Sequence, residues 1–237
     1  MSEPRLSGRV ALITGASRGL GAAVAKRLAA EGAHTILLAR TQKGLEATDD
    51  AIRKAGGTAT LVPQNLREFD KIDAMAAALH QRFGRLDVLV SCAATLDHLG
   101  PTGHFDPPVW QEIVDVNLTA NWRLIRALDP LLRLSPAGRA IFVTAAAARE
   151  SLPYWGPYAA TKAALEAMVK TYAAEIAQST VRANLVDPGP LATELRFAAF
   201  PFEDRTRLTA PENATEAFVV LAEASNTRNG EIILGGA

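Results

Sequence analysis

The chain alternates between short, nearly continuous apolar runs and longer stretches in which apolar residues recur at helical spacing. The apolar runs predict seven strands, of which the last is the weakest: residues 9–14, 34–39, 58–62, 87–91, 139–144, 180–186 and 231–234. Between them, amphipathic stretches such as residues 19–31 and 70–83 predict helices. Strands that are apolar throughout and separated by helices indicate an α/β fold, with a doubly wound parallel sheet covered by helices on both faces.

The chain shows no repeat, no low-complexity block and no linker rich in proline, glycine or serine. Residues 1–237 are therefore predicted to form one domain. Two turn-rich regions interrupt the alternation, at residues 96–108 and 188–211, after the fourth and sixth strands. Ligands of open parallel sheets bind at the carboxyl ends of the strands, where these segments emerge. We predict a substrate-side loop at residues 191–210, whose phenylalanines either form a lid or pin the loop to the core.

The amino-acid composition limits which binding partners and which cellular compartment we expect for the chain. Apolar residues make up 49% of the chain, and 25 basic residues balance 25 acidic ones, which disfavours a nucleic-acid or acidic-membrane partner. No apolar run is long enough to span a membrane, and the N-terminal sequence lacks the apolar stretch of a secretory signal. The single cysteine, Cys92, excludes an intrachain disulfide. These features predict a cytoplasmic protein without a membrane or nucleic-acid partner.

The four histidines are scattered along the chain. His98 and His104 lie six residues apart in a loop that also contains Asp97 and Asp106, so a metal site there is conceivable. The loop offers no further signal for a metal, and we predict none.

A glycine-rich turn, TGASRGLG at residues 14–21, follows the first strand directly. Gly15, Gly19 and Gly21 let the backbone turn sharply and approach a ligand, and the next helix points its amide groups at that site. Tight strand–helix turns also need glycine for purely structural reasons. Its position between the first strand and a helix favours dinucleotide binding.

The residues after the second strand bear on which dinucleotide is bound. NAD-binding folds place an acidic residue here to accept the ribose hydroxyls, whereas arginine suits a 2′-phosphate. This chain has Ala39 followed by Arg40, and Arg18 lies inside the glycine turn. Two guanidinium groups can converge on one phosphate, although either can also be a solvated surface charge. The missing acid favours NADP(H) over NAD(H).

A tyrosine and a lysine, Tyr158 and Lys162, are separated by one helical turn in a segment that Pro157 can start as a helix. A neighbouring ammonium stabilises a phenolate and lowers the pKa of the phenol. Such a pair can transfer a proton to or from a hydroxyl or carbonyl group. The same spacing also occurs on many solvated helices, so by itself it is a weak signal.

Four motifs together resemble the short-chain dehydrogenase/reductase family, in its order and spacing and over nearly the whole chain. They are TGASRGLG at 14–21, the asparagine of DVNLTA at position 117, YAATK at 158–162 and DPGPLAT at 187–193. The resemblance implies a single Rossmann-type domain with a seven-stranded parallel sheet and a nicotinamide cofactor. It also implies a homodimer or homotetramer, in which long helices at residues 109–134 and 158–178 pair across the interface.

The resemblance also implies roles for individual residues. Tyr158 would be the proton donor or acceptor, Lys162 would bind the nicotinamide ribose and lower the pKa of Tyr158, and Asn117 would hold a water in the proton relay. The cofactor would contact the glycine turn, the ends of the next strands and the nicotinamide end of the site: Gly15, Ser17, Arg18, Gly19, Leu20, Gly21, Arg40, Asn65, Leu66, Cys92, Ala93, Lys162, Pro188, Gly189, Leu191 and Thr193.

The chain departs from the family pattern in two places. The family places a serine, which helps to polarise the substrate carbonyl, thirteen residues before the tyrosine, where this chain has Ala145. The neighbouring Thr144 should face away, because successive strand side chains point to opposite faces, and Ser151 is an improbable substitute. The family's Asn-Asn-Ala-Gly is replaced by residues 91–94, in which Ser91 can keep one hydrogen bond to the adjacent strand. Cys92 is interpreted as a small apolar filler.

Three functions fit these features. The first is an NADP(H)-dependent oxidoreductase that interconverts an alcohol and a carbonyl on a small, partly apolar substrate, with Tyr158 as general acid/base. The second is a protein that binds NADP(H) with impaired or lost turnover and acts as a sensor or subunit, because losing one donor to an oxyanion costs about 10²–10³-fold in rate. The third is a non-redox reaction on the same tyrosine, which no residue favours.

Overall fold

The predicted apolar runs form one parallel sheet in the computed structural model, which describes residues 4–235. Residues 1–3 and 236–237 of the predicted domain lie outside the described residues. The strands are β1 (Val10–Thr14), β2 (His34–Ala39), β3 (Thr58–Pro63), β4 (Val88–Ser91), β5 (Arg139–Val143), β6 (Arg182–Asp187) and β7 (Ile232–Leu234). Their order is β3-β2-β1-β4-β5-β6-β7, and every neighbouring pair is parallel.

Helices connect successive strands and cover both faces of the sheet. They are α1 (Gly19–Ala30), α2 (Gln42–Lys54), α3 (Phe69–Phe83), α4 (Pro107–Val114), α5 (Ala120–Arg133), α6 (Gly156–Glu175), α7 (Glu194–Ala199) and α8 (Glu216–Ala222). Among the helices of residues 4–235, none has the length and apolarity needed to cross a membrane. The predicted α/β fold with a doubly wound parallel sheet is confirmed.

The strand order reverses beside β1, and this reversal creates the binding crevice. The chain first builds outward from β1 to β2 and β3, and then returns to place β4 on the other side of β1. In the resulting register, Leu12 of β1 lies between Ile36 of β2 and Leu89 of β4. The connections that leave β1 and β4 therefore diverge to opposite faces, which opens a crevice at the carboxyl ends of the strands.

Alternate residues of the central strands pack into two separate cores. Ile13 faces the layer that contains Val24 of α1, whereas Leu12 faces the layer that contains Leu124 of α5 and Val169 of α6. All five side chains are fully buried. Burial of each such side chain stabilises the fold by about 1.5–3 kcal/mol, so the two layers fix the sheet and with it the crevice.

The predicted long helix at residues 109–134 is wrong in one respect, because a π-helical turn, Asp115–Thr119, separates α4 from α5. Residues 115–119 contain no glycine or proline that would mark a change of helix type, which is why the sequence does not reveal the turn. The turn places Asn117 inside the protein with no exposed surface. π-turns within helices occur frequently at functional sites, and this one carries a residue predicted to be catalytic.

We expect Phe142→Ala to lower the free energy of unfolding by about 3–5 kcal/mol, since it leaves a cavity in the centre of the sheet. Phe142 lies on β5 with no exposed surface. The matched control is Phe202→Ala, because Phe202 is fully exposed, and its effect should stay within about 0.5 kcal/mol. Urea unfolding followed by circular dichroism measures both. Equal losses in the two variants would contradict the placement of the core.

Candidate active site

A cavity of about 760 Å³ opens at the carboxyl edge of the sheet, and its lining residues include those that follow the ends of β1 to β6. It is lined by Tyr158 and by every residue predicted to contact a cofactor: Gly15, Ser17, Arg18, Gly19, Leu20, Gly21, Arg40, Asn65, Leu66, Cys92, Ala93, Lys162, Pro188, Gly189, Leu191 and Thr193. Asn117 is the exception among the predicted site residues, since it is buried behind the wall. The structure thus brings together residues from most of the chain.

The glycine turn has the backbone geometry that close approach of a ligand requires. Gly15 and Gly19 have positive φ values of 68° and 55°, in the left-handed region. A Cβ atom on Gly21 would lie 2.3 Å from the carbonyl oxygen of Gly15, so only glycine fits there. No side chain caps the N-terminus of α1. Its first amide groups therefore remain available to an anion in the cavity.

Charged side chains surround the end of the cavity next to β2. Arg18 and Arg40 are both exposed and both line the cavity. The guanidinium of Arg40 lies 3.9 Å from the carboxylate of Glu112, which also lies 3.5 Å from the guanidinium of Arg67. Glu112 reaches this end of the cavity from α4. The partial exposure of these groups keeps the ion pairs weak, so Arg40 is free to exchange Glu112 for a stronger anion.

The predicted Tyr–Lys pair lies on one face of α6, at the opposite end of the cavity. Both side chains are buried, with Tyr158 7% and Lys162 2% exposed. The ammonium of Lys162 donates a hydrogen bond of 2.8 Å to the carbonyl oxygen of Val143 and lies 5.6 Å from the centroid of the Tyr158 ring. The ring of Trp155 packs edge-on against Tyr158 at 5.6 Å. The phenol is thus held in a fixed, largely apolar setting.

Burial is the largest cause of the pKa shifts of Tyr158, Lys162 and the neighbouring Cys92. It lowers the pKa of Lys162 to about 8, and it raises the pKa of Cys92 to about 12, so that the thiol stays protonated. Burial, followed by the negative charge of Asp187, raises the pKa of Tyr158. The expected lowering of the pKa of Tyr158 by Lys162 is therefore not found, because desolvation of the phenolate outweighs the nearby ammonium.

The carboxylate of Asp187, at the end of β6, is an element of the site that the sequence analysis did not single out. It is buried and forms an ion pair with Arg149, which also pairs with the buried Glu166 of α6. Glu166 accepts a hydrogen bond of 2.7 Å from the hydroxyl of Thr144. This network holds the end of β6 against α6, and it occupies the one hydroxyl adjacent to Ala145 in the chain.

Asn117 ties two parts of the site together through its side-chain amide. Its oxygen accepts a hydrogen bond from the backbone N–H of Thr95 at 2.9 Å, and its nitrogen donates to the carbonyl oxygen of Thr95, also at 2.9 Å. The same nitrogen lies 3.2 Å from the hydroxyl of Thr161, which stands between Tyr158 and Lys162 on α6. The loop after β4 is thereby fixed against the helix that carries the tyrosine.

Ser91 and the segment after it are held by a second buried amide. The hydroxyl of Ser91 lies 3.3 Å from that of Thr14 on β1, as predicted for a bond to the adjacent strand. It also donates a hydrogen bond of 2.6 Å to the side-chain oxygen of Asn121. Asn121 in turn donates to the backbone carbonyl of Asn117 at 2.8 Å. The end of β4 is therefore anchored although the family's paired amides are missing.

The predicted substrate-side loop, residues 191–210, contains the short helix α7. A bridge between Leu191 and Thr209 closes the base of the segment. Phe200 packs against Trp155 at 5.9 Å, whereas Phe202 is fully exposed. Of the two readings for the phenylalanines, pinning applies to Phe200, because its ring joins the segment to the residues beside Tyr158.

The loop that contains His98 offers no metal site in the described part of the chain. His98 binds Asp97 and stacks on Phe105 at 4.7 Å. Across residues 4–235, no group of three histidine, cysteine, aspartate or glutamate side chains is placed to hold a metal ion.

Sequence reasoning missed three further residues that line the cavity. Asp187 stands within the DPGPLAT motif, so the sequence contained a signal for it. Glu112 gave none, because only the folded chain brings α4 to the end of β2. Thr95 directly follows the altered segment 91–94, but only the fold shows its contacts with Asn117. Ser151, considered as a substitute for the missing serine, is exposed.

Known proteins resemble this chain in sequence and in fold. The family model for short chain dehydrogenases matches residues 9–204. The uncharacterized oxidoreductase YciK of Escherichia coli K12 is 32% identical over 235 residues, which cover 95% of this chain and 90% of that protein. The dehydrogenase/reductase SDR family member 4 of Mus musculus is 28% identical over 98% of this chain and 87% of its own length. A structure from Escherichia coli CFT073, assigned to the short chain dehydrogenases and complexed with NADPH, is 31% identical, with a TM-score of 0.95 over 100% of both chains.

Lys162→Met is expected to raise the free energy of unfolding at about pH 7 by about 1–3 kcal/mol, because it removes a charge that burial disfavours. The pKa of Lys162 in the folded protein, about 8, lies below the ordinary 10.5, so the unfolded chain binds more protons between these two values. The cost of the buried ammonium is therefore complete below about pH 8 and disappears above 10.5.

Urea unfolding at about pH 7 and about pH 10 measures this difference. The stabilisation by Lys162→Met should shrink as the pH rises through that window. Lys170→Met, at an exposed lysine of the same helix, is the matched control and should change stability by less than about 0.5 kcal/mol. A stabilisation that grows with pH would refute the placement of Lys162.

Proposed function

Because the chain belongs to the short-chain dehydrogenase family, we propose that it is an NADP(H)-dependent oxidoreductase that interconverts an alcohol and a carbonyl. The observation that carries this proposal is the single cavity that joins the glycine turn after β1 to Tyr158 and Lys162 on α6. A dinucleotide is long enough to connect a phosphate site at one end of such a cavity with a proton donor at the other. Tyr158 is proposed as the general acid/base.

The residues of the cavity fit such a cofactor. The amide groups at the start of α1 and the space that a Cβ at Gly21 would fill suit a pyrophosphate. Arg18 and Arg40 would hold the 2′-phosphate, and Asn65 with Leu66 would flank the adenine. At the other end, Lys162 would bind the nicotinamide ribose, with contacts from residues around the ends of β4 and β6: Cys92, Ala93, Pro188, Gly189, Leu191 and Thr193. When bound, the cofactor supplies or accepts the hydride.

The preference for NADP(H) rests on charge. No acidic residue follows β2, and the guanidinium of Arg40 is paired only weakly with Glu112, at 3.9 Å. A phosphate dianion would attract Arg40 and Arg18 more strongly than a single exposed carboxylate does. The NADPH in the similar structure from Escherichia coli CFT073 supports this choice.

The raised pKa of Tyr158 means that the phenol carries the proton that reduction of a carbonyl requires. The phenol stays protonated near neutral pH, so it is ready to donate its proton to a carbonyl oxygen. In reduction, the substrate carbon gains a hydride and the oxygen gains the phenolic proton, and the C=O π bond becomes a C–O single bond. Lys162 lies near the phenolate that remains and stabilises it. Asn117 is proposed to hold a water that returns the proton, and this water would bind its backbone carbonyl, because both polar ends of the side chain bind Thr95 and Thr161.

The substrate is proposed to be small and partly apolar. Trp155, Leu152 and Leu195 line the cavity at the Tyr158 end. We further propose a cytoplasmic homodimer or homotetramer without a nucleic-acid or membrane partner. Trp110 of α4 and Trp122 of α5 are 40% and 46% exposed, which favours burial against another copy of the chain.

Ala145 favours a second candidate function, an NADP(H)-binding protein with impaired or lost turnover. Ala145 lines the cavity and presents only a methyl group where the family's serine hydroxyl would stand. Such a protein would serve as a sensor or subunit whose cofactor site is intact.

A panel of small aldehydes and ketones, followed at the nicotinamide absorbance, tests these two functions. We expect turnover by the natural chain and a loss of about 10²–10⁴-fold in Tyr158→Phe, because the proton donor is removed. NADPH affinity should be retained in that variant. Tyr172→Phe, at a second tyrosine of α6 that binds Asp129 outside the cavity, is the control and should retain turnover. Turnover that appears only in Ala145→Ser would instead support the second candidate.

Arg40→Ala should weaken NADPH binding by about 10–100-fold, because one charge-assisted bond to the 2′-phosphate is lost. NADH affinity should change by less than threefold, roughly, since NADH has no such phosphate. Fluorescence titration of both cofactors measures the ratio. Arg53→Ala, at an exposed arginine of α2, is the matched control. Equal or tighter binding of NADH by the natural chain would refute the proposed preference.

A further inference from the structure

The replacement of the family's serine by Ala145 raises the question of which other group can donate a hydrogen bond to the substrate oxygen. Six hydroxyl-bearing residues line the cavity: Ser17, Thr41, Thr95, Thr144, Tyr158 and Thr193. A substitute for the serine has to be one of these whose hydroxyl is uncommitted and lies at the Tyr158 end.

Four of the six are excluded by their contacts or their position. The hydroxyl of Thr144 donates to Glu166 at 2.7 Å, so its proton is already used. The side chain of Thr193 lies against the glycine turn, with its methyl group 3.3 Å from where a Cβ on Gly19 would stand, so Thr193 belongs to the phosphate end. Ser17 lies in the glycine turn and Thr41 follows β2, so both belong to the phosphate and adenosine end. Tyr158 is itself the proposed proton donor. Thr95 remains.

The hydroxyl of Thr95 is uncommitted, whereas its backbone is fixed. Within residues 4–235 its side-chain oxygen has no hydrogen-bond partner, although its N–H and C=O both bind the side chain of Asn117 at 2.9 Å. Asn117 in turn contacts Thr161, between Tyr158 and Lys162. The position of Thr95 is therefore set by the helix that carries the proton donor, and only its side-chain torsion is free.

The fold places Thr95 beside the gap at Ala145. Strands β4 and β5 are direct neighbours, and Thr95 and Ala145 follow their carboxyl ends by four and two residues. Leu96, the next residue, packs in one cluster with Tyr158 and Ala147, and Ala145 packs against the same cluster. Thr95 thus approaches the substrate end of the cavity from the strand next to the one that carries the alanine.

We propose that Thr95 is a catalytic residue, whose hydroxyl donates the second hydrogen bond to the substrate oxygen in place of the missing serine. This inference rests on the proposed function. Thr95 makes and breaks no covalent bond and keeps its proton. Its hydroxyl stabilises the negative charge that develops on the oxygen as the hydride arrives and before Tyr158 completes proton transfer. The site therefore retains two donors, one from β4 and one from α6.

The experiment compares kcat and KM for a reactive aldehyde among four variants of the full chain with saturating NADPH. Thr95→Val removes the hydroxyl at nearly constant shape and should lower kcat by about 10²-fold, within the usual range for a lost oxyanion donor. Thr95→Ser keeps the hydroxyl and should remain within about fivefold of the natural chain in rate. Thr95→Val combined with Ala145→Ser should recover most of the loss, because the serine restores a second donor. Thr171→Val, an exposed threonine of α6, should be unchanged.

Two further measurements separate chemistry from folding. The thermal midpoint and the NADPH dissociation constant of Thr95→Val should match those of the natural chain, since neither depends on the hydroxyl. A kcat for Thr95→Val within threefold, roughly, of the natural value would overturn the role of Thr95 and leave the proposed function intact. Equal losses in Thr95→Val and Thr95→Ser, without recovery by Ala145→Ser, would also overturn it. Turnover by neither the natural chain nor Ala145→Ser would refute the proposed function and the role of Thr95 together.

Discussion

The amide of Asn117 is the interaction on which the geometry of the site depends. Both polar ends of this fully buried side chain are used, because its oxygen and its nitrogen bind the backbone of Thr95 and its nitrogen also reaches Thr161. A buried amide that lost these partners would cost about 1–3 kcal/mol, so the three elements it joins form one unit. Those elements are the loop after β4, the π turn and α6. The π turn is what lets Asn117 face inward between two otherwise regular helices.

Desolvation is the second constraint, and it acts on the charged states of the site. Tyr158 and Lys162 are both almost fully buried, so burial shifts each toward its neutral form. The carboxylate of Asp187 acts in the same direction on the phenol and in the opposite direction on the lysine. A phenol that stays protonated carries the proton that the proposed reduction of a carbonyl requires. The buried carboxylate of Asp187 is paired with the guanidinium of Arg149 in this apolar setting.

The two ends of the cavity differ in how closely they follow the family. The dinucleotide end keeps the glycine turn, with its positive φ values and the close contact at Gly21. The substrate end has lost the serine at Ala145 and the amides at residues 91–94, and other polar groups stand nearby. Ser91 and Asn121 re-anchor β4, and Thr95 presents a free hydroxyl. A hydrogen-bond donor that is lost from one strand can be replaced from the neighbouring strand, because parallel strands end at the same edge of the sheet.

The fold could be predicted from the amino-acid sequence alone, and the sequence also predicted where both ends of the proposed site lie. Apolar runs of strand length and helical periodicity are local properties, and so is a glycine turn directly after the first strand, which favours dinucleotide binding. The Tyr158–Lys162 spacing is local as well. The sequence did not reveal the π turn, because residues 115–119 contain no glycine or proline that would mark a change of helix type. It also predicted the wrong direction for the pKa of Tyr158. The sequence spacing indicates that the Lys162 ammonium is near the phenol, whereas the burial of the phenol is visible only in the folded chain. The pairing of Arg40 with Glu112, the ion pair at Asp187 and the clamp on Thr95 join residues far apart in the chain. Only tertiary structure decides such contacts, because they depend on which strands end side by side.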